Sequence, residues 1–109
     1  MEKIDHYSAA IALVLERLNE QATPHNHLLM DTVRHHYQLL RTSWDNKNHY
    51  FFRVRLHMHL HADAKIYILE NRTEEDIAEL LVAEGIAKSD IVLAFLPKSV
   101  RQYSGYAVA

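Results

Sequence analysis

The sequence predicts a two-layer α+β domain, and three observations carry that prediction. Apolar residues recur at three- and four-residue spacing near the N-terminus, alternate with period two through the middle of the chain, and return to helical spacing after Thr73. At 109 residues the chain is one domain, spanning 1–109. A chain of this size buries about two thirds of its unfolded surface without needing disulfides or a structural metal. The expected architecture is an antiparallel four-stranded meander with an N-terminal helix and a second helix packed on one face, followed by an ordered C-terminal tail.

The first element is a helix from about Glu2 to Ala22. Ile4, Tyr7, Ile11, Val14, Leu15, Leu18 and Ala22 make its apolar stripe, and Pro24 marks its end. Four strands follow, over 28–33, 36–44, 49–61 and 65–69. Asp45-Asn-Lys-Asn48 reads as a hairpin turn, and Ala62-Asp-Ala64 as a turn lacking the usual glycine. Links this short join antiparallel neighbours. The second helix takes Thr73 as N-cap with Asp76 three residues on, while Glu74 and Glu75 suit the positive end of its dipole. Ile77, Leu80 and Leu81 point inward, and Gly85 with Ile86 reads as a left-handed C-cap and its apolar contact.

The third strand alternates without interruption. Tyr50, Phe52, Val54, Leu56, Met58 and Leu60 are assigned to one face, and His49, Phe51, Arg53, Arg55, His57, His59 and His61 to the other. The first face belongs under the helices. The second is basic and rich in imidazole, and it suits an ordinary solvated sheet face, an acidic protein or nucleic acid. Arg53, Arg55 and His57 are its contact candidates, and Phe51 in the same row suits a homo-oligomer interface. His57, His59 and His61 are the metal candidates, since side chains two apart on a strand share a face; a site there needs a third ligand fixed by the fold. No cofactor is implied.

Charge narrows the classes further. The formal net charge is −2, yet residues 31–65 carry six Lys/Arg against three Asp/Glu, and residues 70–90 two against seven. An acidic second helix has the wrong sign for a recognition helix in a major groove, and strands separate the two helices, so no helix-turn-helix forms. A phosphate-cradling loop needs several glycines, and the chain has two. No serine elbow or buried acid–base pair stands out, so an enzyme is not expected. The early apolar stretch from Ser8 to Leu15 is too short for a membrane span and has poor signal-peptide flanks, and no cysteine requires an oxidising compartment. A cytoplasmic protein is expected.

The C-terminal twenty residues are the most specific part. An apolar run, Ile91-Val-Leu-Ala-Phe-Leu96, stops at Pro97, and the following segment with Tyr103 and Tyr106 is too apolar for a solvated tail. Asp90-Ile-Val-Leu-x-Phe-x-Pro followed by Arg101-Gln-Tyr-x-x-Tyr-Ala-Val-Ala109 resembles the C-terminus of the XisI-like family, the fdxN element excision controlling factors. His36-Tyr-Gln-Leu-Leu-Arg-x-x-Trp44, Leu56-His57, and Ile77-Ala78 through Leu81-Val82 to Gly85 fall in register with the same pattern. Arg72, Ala87, Ala94 and Leu96 depart from it.

The resemblance implies an accessory or regulatory factor for excision of a DNA element by a separate site-specific recombinase. It implies that the protein binds an XisH-type, nuclease-like companion rather than performing catalysis. Arg101, Gln102, Tyr103 and Tyr106 join Arg53, Arg55 and His57 as contact candidates. The alternatives are a nucleic-acid-binding module using the basic sheet face, and a small His-rich metal- or anion-binding protein.

Overall fold

The computed structural model describes residues 2–20 and 25–108. Helix α1 (Lys3–Glu20) leads into strands β1 (Asn26–Asp31), β2 (His36–Trp44), β3 (Tyr50–Leu60) and β4 (Ile66–Asn71). Helix α2 (Ile77–Ala83), a 3-10 turn at Lys88–Asp90, strand β5 (Ile91–Leu93) and the short helix α3 (Lys98–Arg101) follow. The sheet order is β1-β2-β3-β4-β5, with four antiparallel strands and β5 parallel to β4.

The helix-and-meander expectation holds, and β5 extends it. Part of the apolar run after Asp90 is a fifth strand, with Ile91, Val92 and Leu93 opposite Ile66, Tyr67 and Ile68. Ile91 and Val92 are fully buried, which is why so short a strand is so apolar. The expected end of α1 at Ala22 and Pro24 lies outside the described residues. β1 begins and ends two residues before its expected limits, because the Asp31 carboxylate accepts from the N–H groups of Val33 and Arg34 and turns the chain there.

Thr73 is not the N-cap of α2. Its hydroxyl donates to Asn71 Oδ1 at 2.6 Å and accepts from the Glu75 N–H, so it belongs to the turn leaving β4. Asp76 caps instead, in extended conformation, with Oδ1 accepting from Glu79 N. Asp76→Ala is expected to lower unfolding free energy by about 1 kcal/mol, measurable by urea titration, with Thr73→Ala leaving helix content unchanged. At the other end Gly85 has φ +93°, and the Ile86 N–H reaches back to the Leu81 carbonyl while Ile86 is buried, as the C-cap reading requires.

One core lies between the helices and the sheet. Tyr7, Ile11, Val14 and Leu15 of α1 and Ile77, Ala78 and Leu81 of α2 pack on Tyr37, Leu39, Leu56, Met58, Leu60, Ile66 and Ile68. Two polar ties fix α1. The Tyr37 hydroxyl lies 2.6 Å from Ser8 Oγ, and the buried Asp90 carboxylate accepts from the Tyr7 hydroxyl at 2.5 Å and pairs with Lys3 at 2.7 Å.

The unbroken alternation of β3 does not place all its apolar residues in this core. Leu39 of β2 pairs with Leu56, but the next residue, Leu40, pairs with Val54, leaving Arg55 as an extra residue in a β-bulge. Cross-strand partners share a face and neighbours on β2 do not, so Val54, Phe52 and Tyr50 stand on the opposite face from Leu56. Exposure agrees: Leu56, Met58 and Leu60 are buried, whereas Tyr50 is 53% and Phe52 61% exposed.

Candidate functional site

β1 pairs with β2 over Asn26–Asp31 and β4 with β3 from Leu56 onward, so among the described residues the end of the β2–β3 hairpin is a two-stranded arm. Its turn is self-braced. Asp45 Oδ1 accepts from the N–H groups of Lys47 and His49, Oδ2 meets His49 Nδ1 at 3.0 Å, and Asn48 takes the left-handed φ of 62°. The His49 and Lys47 amides hold the Asp45 carboxyl below its ordinary value, against the opposing effect of burial.

The arm has two unlike faces. On one, Trp44 lies opposite Tyr50 with ring centroids 4.9 Å apart, and Phe52 lies opposite Thr42. Trp44 is 64% exposed, so three large aromatic side chains stand largely in solvent together. On the other face Arg41 lies directly opposite Arg53, and Ser43 opposite Phe51. Here Arg53 stacks over the Phe51 ring at 5.5 Å. A cleft of about 450 Å³ opens on this second face, lined by Arg41, Ser43, Arg53, Arg55 and Arg72.

The structure therefore divides the basic face that the sequence suggested. Arg53 lies on the helix side of the sheet and His57 on the other, because the bulge at Arg55 falls between them. Arg55 reaches the Arg72 carbonyl with Nη2 at 3.2 Å. Arg41 and Arg72 complete the cluster and were not among the candidates read from sequence.

His57 belongs to an imidazole ladder across β2, β3 and β4. His36 Nδ1 lies 3.0 Å from His57 Nε2, the His36 ring stacks on His59 at 4.0 Å, and His61 joins His59 to Tyr67 through centroid distances of 4.3 and 3.8 Å. Burial, then the neighbouring His36, pushes the His57 and His59 pKa values down. Two of these contacts are stacked and two tilted, and among the described residues no group of three or more His, Asp or Glu side chains is arranged to hold a metal ion.

The tail candidates lie elsewhere, along β5. Arg101 donates to the carbonyls of Leu96 and Ala94, Gln102 to that of Ser99, and the Tyr106 hydroxyl to Glu79 Oε1 at 2.8 Å. Burial, with the Glu79 bond second, pushes the Tyr106 phenol up to about 12. The Ala107 N–H closes on the Ile91 carbonyl at 2.8 Å. The tail is thus ordered by bonds within itself and to Glu79 and Ile91, and Tyr103, 82% exposed, is the most exposed of its large apolar side chains. Among the described residues no helix is long and apolar enough to cross a membrane.

The sequence model of the XisI protein family matches residues 1–108. The chain belongs to the XisI family. Among solved structures, an fdxN element excision controlling factor XisI from Anabaena variabilis ATCC 29413 superposes with a TM-score of 0.86 at 26% identity, covering 99% of this chain and 100% of that one. An XisI-like protein from the same organism gives 0.84 at 28% identity with the same coverage. No curated protein matches the chain. The XisI relatives thus share the whole fold, including the strand and tail after Asp90.

Proposed function

We propose that this XisI-family protein is an accessory factor controlling excision of a DNA element, and that it works by gripping a nuclease-like companion protein of the XisH type rather than by catalysis. The excision role is carried over from its family and from the fdxN element excision controlling factor whose fold it shares. The observation that supports the binding mechanism is the aromatic face of the arm, where Trp44, Tyr50 and Phe52 stand exposed on a braced two-stranded projection. Trp and Tyr are the side chains that most often anchor interfaces, and a rigid arm presents them with little entropy left to lose on binding. The one buried carboxylate among the described residues, Asp90, is engaged with Tyr7 and Lys3, a structural use that fits a binding role.

In the tail, Tyr103 is the side chain placed to add a second contact. Arg101, Gln102 and Tyr106 then serve by holding the tail in position.

The test is calorimetric titration of the purified companion into wild type and into Trp44→Ala/Phe52→Ala. The double variant should melt within a few degrees of wild type, since both side chains are mostly solvated, and bind about 100-fold more weakly. Wild-type affinity in a folded double variant refutes the arm as the grip.

A further inference from the structure

We infer that the arginine cleft at the base of the arm is a binding site for the phosphodiester backbone of a nucleic-acid strand, so that this chain itself touches nucleic acid on the face of the arm turned away from the aromatic plate. The argument starts from a local conflict. Arg41 and Arg53 are direct cross-strand partners, an arrangement of like charges that destabilises an antiparallel pair. Arg55 and Arg72 line the same cleft, bringing four arginines around one space. Only Arg72 has a carboxylate partner, an exposed contact with Glu70 at 3.2 Å; among the described residues none pairs with Arg41, Arg53 or Arg55. A sheet that concentrates positive charge without compensating it is locally inconsistent with stability alone, and such inconsistency marks functional sites.

The chemistry of the lining selects the ligand. Guanidinium forks bind phosphate oxygens in bidentate fashion, and several at once suit a group, or a succession of groups, bearing more than one negative charge. Ser43 adds a hydroxyl donor to the cleft. Phe51, beside Arg53 on the same face, adds an exposed ring on which a base can stack. A basic groove with adjoining aromatic rings is the pattern by which proteins track single strands without reading sequence. An acidic peptide would use the same charges, and competition with a polycarboxylate separates the two ligands.

The inference stands apart from the companion reading, because its residues lie on the other face of the arm. The experiment is fluorescence anisotropy of a short labelled oligonucleotide, single-stranded and duplex in separate arms, over a range of KCl concentrations and with polyglutamate as competitor. Wild type should bind the single strand at low salt with a log–log salt slope of about −2 to −3, the value for three or four phosphates neutralised. Arg41→Ala/Arg53→Ala should bind at least about 10-fold more weakly with the slope shallower by about 1.4, whereas Trp44→Ala/Tyr50→Ala should leave the slope unchanged. Arg41→Gln, which keeps the stem and removes one charge, should show the same direction if the double variant does not fold. Preference for the duplex keeps the phosphate site and assigns it to double-stranded DNA. No binding to either form, an unchanged slope in the arginine variants, or competition by polyglutamate at equal charge overturns the proposal, the last by assigning the cleft to a carboxylate-bearing protein.

Discussion

Leu56→Asp is expected to abolish the cooperative thermal transition, whereas Phe52→Asp, four residues earlier and on the same side of the alternation in sequence, should leave a folded protein melting within a few degrees of wild type. Leu56 is fully buried between α1, α2 and the sheet, and a carboxylate there has no partner. Burying an unpaired charge costs more than about 4 kcal/mol, a large part of the roughly 5–15 kcal/mol that holds a domain together. Phe52 lies beyond the bulge, on the other face and mostly in water, so a charge there is hydrated. Circular dichroism melts of the two variants decide the matter. Equal destabilisation would mean that β3 runs without a bulge, and a native-like melt of Leu56→Asp would remove the strand from the core.

Asp90→Ala should lower unfolding free energy by about 2–4 kcal/mol, because it strands the Tyr7 hydroxyl inside the core and unties α1 from the turn entering β5. For a domain of this size that is a fall in Tm of roughly 10–20 °C. The same contact sets an acid dependence. Burial pushes the Asp90 carboxyl up, yet the bonds from Lys3 and Tyr7 and the positive charge of Lys3 outweigh it and hold the carboxyl below its ordinary value. A carboxyl whose pKa is depressed by folding stabilises above its unfolded pKa and loses that contribution as pH falls through its folded pKa. Wild type should therefore lose stability steeply below about pH 4, while Asp90→Ala, already weaker, loses less over the same range. Differential scanning calorimetry at stepped pH measures both, and parallel pH profiles would mean that the carboxylate is not the coupling group.

What could be read from the sequence follows from which interactions are local. The stripe of α1 from Ile4 to Leu18, the turn at Asp45–Asn48 and the C-cap at Gly85 are each specified within a few residues, and each is where the pattern put it. β5 escaped because a three-residue strand has no periodicity of its own and gains its identity from Ile66–Ile68, in another part of the chain. The bulge escaped because the alternation passes through Arg55 unaltered; the change of face exists only in the pairing with β2. Arg53 and Arg55 stand out in the sequence by their alternation along β3, while Arg41 is recoverable by counting outward from the hairpin turn, which sets it opposite Arg53. Arg72 carried no such signal, because its place depends on where β4 leaves the sheet.

The bond from the Ala107 N–H to the Ile91 carbonyl bears on the edges of the sheet. An open sheet has two rims of unsatisfied amides and carbonyls, each a template for a stray strand. The returning chain end occupies part of the rim along β5, and β1, six residues long and closed off by the turn at Asp31, limits the other. A tag or truncation near Ala107 therefore acts on a paired sheet margin rather than on a loose end.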